Sequence, residues 1–212
     1  MRPHLAISYT DDISTEVIDA VADDLALPGL LVQKMPRPAG GAYAAPEWLI
    51  PTIVGAYVTK SYFDGFLKEA GKDHYQLLRK GLKKLAGRFT GPNAERVTLI
   101  STKGKIDGSG PSYSRLYSVV GELNGGLVVK LLIRTDTGDD EIDRAVDAFL
   151  DFLLAVHNGM LDADAVIDLR GAKPIGKTLL VTFDSDSGAL RVVDPIPKHV
   201  RDTQKAELDA GD

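Results

Sequence analysis

The sequence predicts an α+β protein. An N-terminal β-α-β unit and a helical hairpin are followed by a mostly antiparallel sheet with one packed amphipathic helix. Two observations predict the strands: short runs alternate apolar and polar residues, and glycine-rich turns separate the later runs. A third predicts the helices, because longer runs repeat apolar residues at three- and four-residue steps.

The first 35 residues predict strand, helix and strand. Residues 4–10 (HLAISYT) alternate in polarity, which is typical of a strand. Ser and Asp oxygens in the DDIST that follows can cap a helix over about 14–26, and LPG ends that helix because proline cannot continue it. Residues 30–35 form the second predicted strand, and a parallel pairing of the two strands requires a right-handed crossover.

A loop rich in proline and glycine, residues 36–46, leads into the predicted helical hairpin. We expect one helix over 47–70 and a second over 72–88. Gly71 separates them, because glycine tolerates the left-handed backbone that ends many helices.

The second half predicts strands at 96–102, 115–123 and 127–134, a helix over 139–159, and a hairpin within 177–195. The NGG turn between the second and third strands favours a hairpin, since Asn-Gly readily adopts positive φ angles. The helix begins with acidic residues, which the positive end of its dipole stabilises, and it ends at Asn-Gly.

The chain has 212 residues, enough for one large domain or two small ones. We predict a unit over 1–90 that holds the β-α-β element and the hairpin, a sheet domain over 95–197, and a charged flexible tail over 198–212. One continuous domain is the alternative to the first two units.

Composition restricts the chemistry. With 44% hydrophobic and 26% charged residues the chain is typical of globular proteins, and it has no cysteine, which excludes disulfides and thiolate metal sites. The N-terminal apolar run is too short for a secretory signal, so the sequence predicts a cytoplasmic protein.

Charge is distributed unevenly along the chain, whose formal net charge is −5. Residues 60–105 hold 11 Lys and Arg against 4 Asp and Glu, whereas residues 136–168 hold 1 against 10. Each charged helix could be a solvated face or could meet an opposite charge in the same chain or in another copy. The basic helix could instead bind an anionic partner, either nucleic acid or an acidic membrane. Nucleic acid is disfavoured because the chain is acidic overall.

The sequence therefore favours a non-enzymatic accessory or regulatory protein that acts through protein–protein contacts or self-association. The residues predicted to bind a partner are Arg79, Lys80, Lys83, Lys84, Arg88 and Trp48. One alternative is a membrane-engaging effector that uses the apolar and basic stretch 46–88, with Trp48 at the lipid headgroups.

A further alternative is nucleotide binding. Residues 171–178 (GAKPIGKT) match the spacing of a phosphate-binding loop, with Lys177 in the lysine position. The segment that follows is strand-like, whereas such loops open a helix. The four histidines lie at no metal-binding spacing, and the sequence predicts no catalytic residue, metal or cofactor.

Overall fold

A computed structural model describes residues 2–38, 52–90, 113–160, 166–167, 172, 174 and 176–194. Within them lie eight strands and three α-helices. In chain order these are β1 (Leu5–Thr10), α1 (Glu16–Asp24), β2 (Val32–Arg37), β3 (Val54–Val58), α2 (Leu67–Phe89), β4 (Tyr113–Glu122), β5 (Val128–Arg134), α3 (Asp139–His157), β6 (Val166–Ile167), β7 (Thr178–Asp184) and β8 (Ala189–Val192). A π-helical turn, Tyr62–Phe66, leads into α2, and a 3-10 turn, Asn124–Gly126, joins β4 to β5.

All eight strands belong to one sheet, in the order β2-β1-β3-β4-β5-β7-β8-β6. The sheet is mixed and not mostly antiparallel as predicted: four neighbouring pairs are parallel and three are antiparallel. Three of the parallel pairs, β1–β2, β3–β4 and β5–β7, are each joined by a connection that contains one α-helix, as parallel neighbours require. The predicted α+β class and the N-terminal strand-helix-strand unit are confirmed.

The three helices pack side by side on one face of the sheet, with α2 between α1 and α3. Alternate residues of the central strands point into this layer, including Val54, Tyr117 and Leu131, which are fully buried. Burying a side chain of this size contributes about 1.5–3 kcal/mol to folding, so this layer is the main source of stability.

The structure corrects the first helix of the predicted hairpin. Within the predicted helix 47–70, Val54–Val58 is strand β3, paired with β1 on one side and β4 on the other. Residues 47–51 lie outside the described part of the chain. Short apolar runs do not distinguish a buried strand from a buried helix, and here the pairing with two neighbours decides.

The second predicted helix, 72–88, is confirmed as part of α2. Gly71 marks a break, as predicted: its φ of 77° and ψ of −172° interrupt the helix, which then resumes in a new direction. The strands predicted at 115–123 and 127–134, the helix at 139–159 and the last hairpin correspond to β4, β5, α3 and the β7–β8 pair. The strand predicted at 96–102 and the tail predicted at 198–212 lie outside the described residues.

Candidate binding groove

The charged faces of α2 and α3 meet within the same chain. Arg79 Nη1 lies 3.2 Å from Asp147 Oδ1, and its Nη2 contacts Asp151. Lys83 Nζ lies 2.8 Å from Asp147 Oδ2 and 3.8 Å from Asp143 Oδ2. Two of the cations predicted to bind a partner therefore neutralise acids of the neighbouring helix.

The other predicted contact residues differ in their surroundings. Lys84 Nζ lies 3.0 Å from Asp24 Oδ2 at the end of α1. Lys80 and Arg88 are exposed on α2, and Trp48 lies outside the described residues. The basic face of α2 thus has less free charge to offer a partner than the sequence suggests.

A groove of about 490 Å³ opens at the end of the sheet where β1 and β2 begin. It lies between the loop that joins α1 to β2 and the segment formed by the π-helical turn and the first turn of α2. Its lining residues come from these segments and from the start of β1: His4, Leu27, Pro28, Gly29, Gly65, Phe66, Glu69 and Ala70. Its volume lies within the range of ligand-binding clefts, and half of its eight lining residues are apolar: Leu27, Pro28, Phe66 and Ala70.

His4 has a defined tautomer at one side of the groove. Its Nδ1 accepts a hydrogen bond from the Leu31 N–H at 2.9 Å, so in the neutral ring Nε2 carries the proton. The ring lies against Phe66, with 5.4 Å between centroids. His4 can therefore donate one hydrogen bond from Nε2.

Behind the groove, a buried aromatic cluster holds Phe66 in place. His74 contacts Phe66 edge-on, with 4.8 Å between ring centroids. The Tyr62 hydroxyl donates to His74 Nδ1 at 3.1 Å, and His74 Nε2 donates to the Leu25 carbonyl at 3.2 Å. Burial lowers the pKa of His74, and the hydrogen bond to the Leu25 carbonyl raises it by a smaller amount. The lowered pKa favours the neutral ring, in which Nδ1 can accept and Nε2 can donate.

Gly65 leaves the groove open. It lies in the π-helical turn. Apart from its chain neighbours and the backbone of its own turn, no atom of the described residues comes within 4 Å of where its Cβ would be. A π-helical turn is uncommon and often occurs at a functional site. A larger side chain at Gly65 would project into the open space instead of colliding with the fold.

The groove carries one unpaired charge. The Glu69 side chain is exposed, and its carboxylate has no hydrogen bond or ion pair to any described residue. The lining includes no Ser, Thr, Cys or Lys that could act as a nucleophile. The arrangement suits the binding of an apolar group with a cation beside it.

The alternative sites receive less support. Lys177 directly precedes strand β7, and its carbonyl accepts the Val128 N–H at 2.9 Å, whereas a phosphate-binding loop opens a helix. Val54–Val58, within the stretch considered for membrane contact, lies in the middle of the sheet. In the described parts of the chain, no three His, Asp or Glu side chains converge as metal ligands would.

No helix among the described residues combines the length and apolarity needed to cross a bilayer. Comparison with known proteins found no matching family model, no matching curated protein and no matching solved structure.

Sequence reasoning did not single out the groove, because its lining comes from three separate segments. A weak signal was present in YFDGF, residues 62–66, where an exposed glycine interrupts a run of aromatic residues. Such a glycine leaves space over an aromatic surface only if the loop that joins α1 to β2 does not fill that space. The sequence does not show where this loop lies.

Proposed function

We propose that this chain is a non-enzymatic accessory or regulatory protein of the cytoplasm that binds a partner protein through the groove and its rim. One observation carries the proposal: Leu27 and Leu31 are 40% and 41% exposed next to the apolar groove. Single exposed leucines are common, but leucines that border an apolar groove form a larger patch of the kind that marks interaction sites.

The proposal moves the contact surface away from the basic face of α2. Arg79 and Lys83 are occupied by Asp147 and its neighbours, so a partner would have to displace ion pairs that already exist. Binding at Leu27 and Leu31 breaks no existing ion pair, because it removes water from apolar surface.

Filling the groove tests the proposal. We expect Gly65→Leu to occupy the open space and to reduce recovery of the partner by at least about tenfold, which corresponds to about 1.4 kcal/mol. The measurement is quantitative affinity capture from cells of the native host, with the wild-type chain and the variants at equal loading.

Gly87→Leu is the matched control. Gly87 is an exposed glycine near the end of α2, far from the groove, and apart from its own helix no atom of the described residues lies near its Cβ position. A partner recovered equally with all three proteins would contradict the proposal, provided that circular dichroism shows Gly65→Leu to be folded.

A further inference from the structure

Strand β2 adds a second binding element next to the groove. It is the outermost strand at one end of the sheet, and within the described chain it pairs only with β1. One row of its backbone N–H and C=O groups is therefore open to an added strand, which is a common mode of peptide recognition.

Only the first part of this edge is suited to pairing. Pro36 has no N–H and interrupts the donors near the end of β2. The first part, from Val32, begins immediately after Leu31, whose backbone faces β1 and not the open edge: its N–H bonds to His4 Nδ1 and its carbonyl accepts from Leu5 N. Residues 27–31 connect the groove lining to the start of this edge.

Charge indicates the chemistry of the occupant. Glu69 is the only charged carboxylate in the lining, and no described residue neutralises it. An apolar side chain in the groove would lie beside Phe66 and Leu27, and a neighbouring lysine or arginine could reach Glu69. An acidic neighbour would instead be repelled.

We propose that the groove and the edge of β2 together bind an extended peptide of the partner protein, in which an apolar side chain is followed closely by lysine or arginine. This inference rests on the proposed function, because it specifies what the partner presents. The apolar residue fills the groove, the basic residue pairs with Glu69, and the peptide backbone extends β2.

Peptide selection on the full chain tests the inference. The probe is a phage-displayed library of random peptides, selected in parallel on the wild type and on Glu69→Lys, Gly65→Leu, Gly87→Leu and Glu16→Lys. Glu16 is an exposed acid in the first turn of α1 and serves as the charge control.

We expect the wild type, Gly87→Leu and Glu16→Lys to enrich peptides with an apolar residue next to Lys or Arg. Glu69→Lys should enrich Asp or Glu in that position, and Gly65→Leu should enrich no common motif. For a synthetic peptide with the selected motif, Glu69→Lys should weaken binding by at least about tenfold. Hydrogen exchange at the amides of β2 should slow when this peptide is bound.

Several results would overturn the inference. These are a motif without a basic residue, a motif unchanged by Glu69→Lys, or β2 amides that exchange equally fast with the peptide bound. If ultracentrifugation showed a dimer that Gly65→Leu dissociates, the occupant would be a second copy of the chain, which also contradicts it. A cellular partner lost only with Gly65→Leu would still support the proposed function in each of the first three cases.

Discussion

Lys130 is a lysine that the fold buries almost completely. It lies in central strand β5, is only 7% exposed, and has the buried apolar residues Val120 and Leu180 as its cross-strand neighbours. Burial, together with the nearby Arg37 guanidinium, lowers the pKa of Lys130 from 10.5 to about 8. The lowered pKa means that the folded chain holds this proton less tightly than an exposed lysine would.

We predict that the wild type gains stability relative to Lys130→Met as pH rises. Between about pH 8 and 10.5 the unfolded chain holds the Lys130 proton more tightly than the folded chain, so unfolding of the wild type takes up protons in this window and becomes less favourable as pH rises. The difference in stability between the two proteins should therefore change in favour of the wild type through this window.

Urea denaturation at a series of pH values measures this difference, and comparing the two proteins cancels titrations that they share. Lys80→Met, a change of the same type at an exposed position of α2, is the control and should show no such trend. A pH-independent difference between Lys130→Met and the wild type would contradict the prediction.

His74 and His157 are held by contacts inside the fold. His157, in the last turn of α3, donates from Nε2 to the Glu122 carbonyl at 2.9 Å and stacks on Phe63, with 4.6 Å between centroids. His74 is buried between Tyr62 and Leu25. The partners of both histidines follow only from the fold, because they lie far away along the chain.

At the scale of elements, the helix packed against α2 determines which of the α2 charges are paired. Its amphipathic pattern could be read from the sequence, since Leu78, Leu82 and Leu85 recur at helical steps and are all buried. Which of its charged residues form ion pairs could not be predicted from the sequence, because that depends on which helix packs beside α2. The neighbour proves to be α3, which carries the opposite charge.

We predict that the ion pairs of α2 differ in value according to their exposure. Arg79 is 19% exposed and bridges Asp147 and Asp151. Arg79→Met leaves Asp151 without this cation and Asp147 with Lys83 alone, so it should destabilise the protein by about 1–3 kcal/mol. Lys84 and Asp24 are both largely exposed, so Lys84→Met should cost no more than about 1 kcal/mol.

Thermal or urea denaturation of both variants in low and high salt measures this contrast, and the Arg79→Met effect should depend less on salt. Equal losses for the two variants would show that the α2–α3 network contributes no more than an exposed pair does.

At the scale of the whole molecule, β3 joins what the sequence separates into two units. It pairs with β1 from the first predicted unit and with β4 from the second, so one sheet includes strands from both. The predicted boundary itself, between residues 90 and 95, lies in a part of the chain that is not described.

We therefore predict one cooperative unfolding transition for the full chain. Separating the units would remove the β3–β4 pairing and expose the buried surfaces of both strands. Calorimetry should give matching calorimetric and van't Hoff enthalpies. Two resolved transitions, or a fragment 1–90 that folds on its own, would contradict this expectation.

The sequence by itself determined the elements whose signals are local. Helical periodicity, acidic first turns and glycine turns were enough to place α3, β5 and the final hairpin, because each signal acts within a few residues of its element. The opposite charges of α2 and α3 were likewise legible in the sequence.

Only the tertiary structure decided how these parts are used. Val54–Val58 is a strand because β1 and β4 supply hydrogen-bonding partners on both sides, and no pattern within five residues encodes that. The cations of α2 are occupied because α3 packs beside them, and the groove exists because three distant segments leave a space between them. Each depends on which segments become neighbours, and burial of the whole apolar surface fixes that choice.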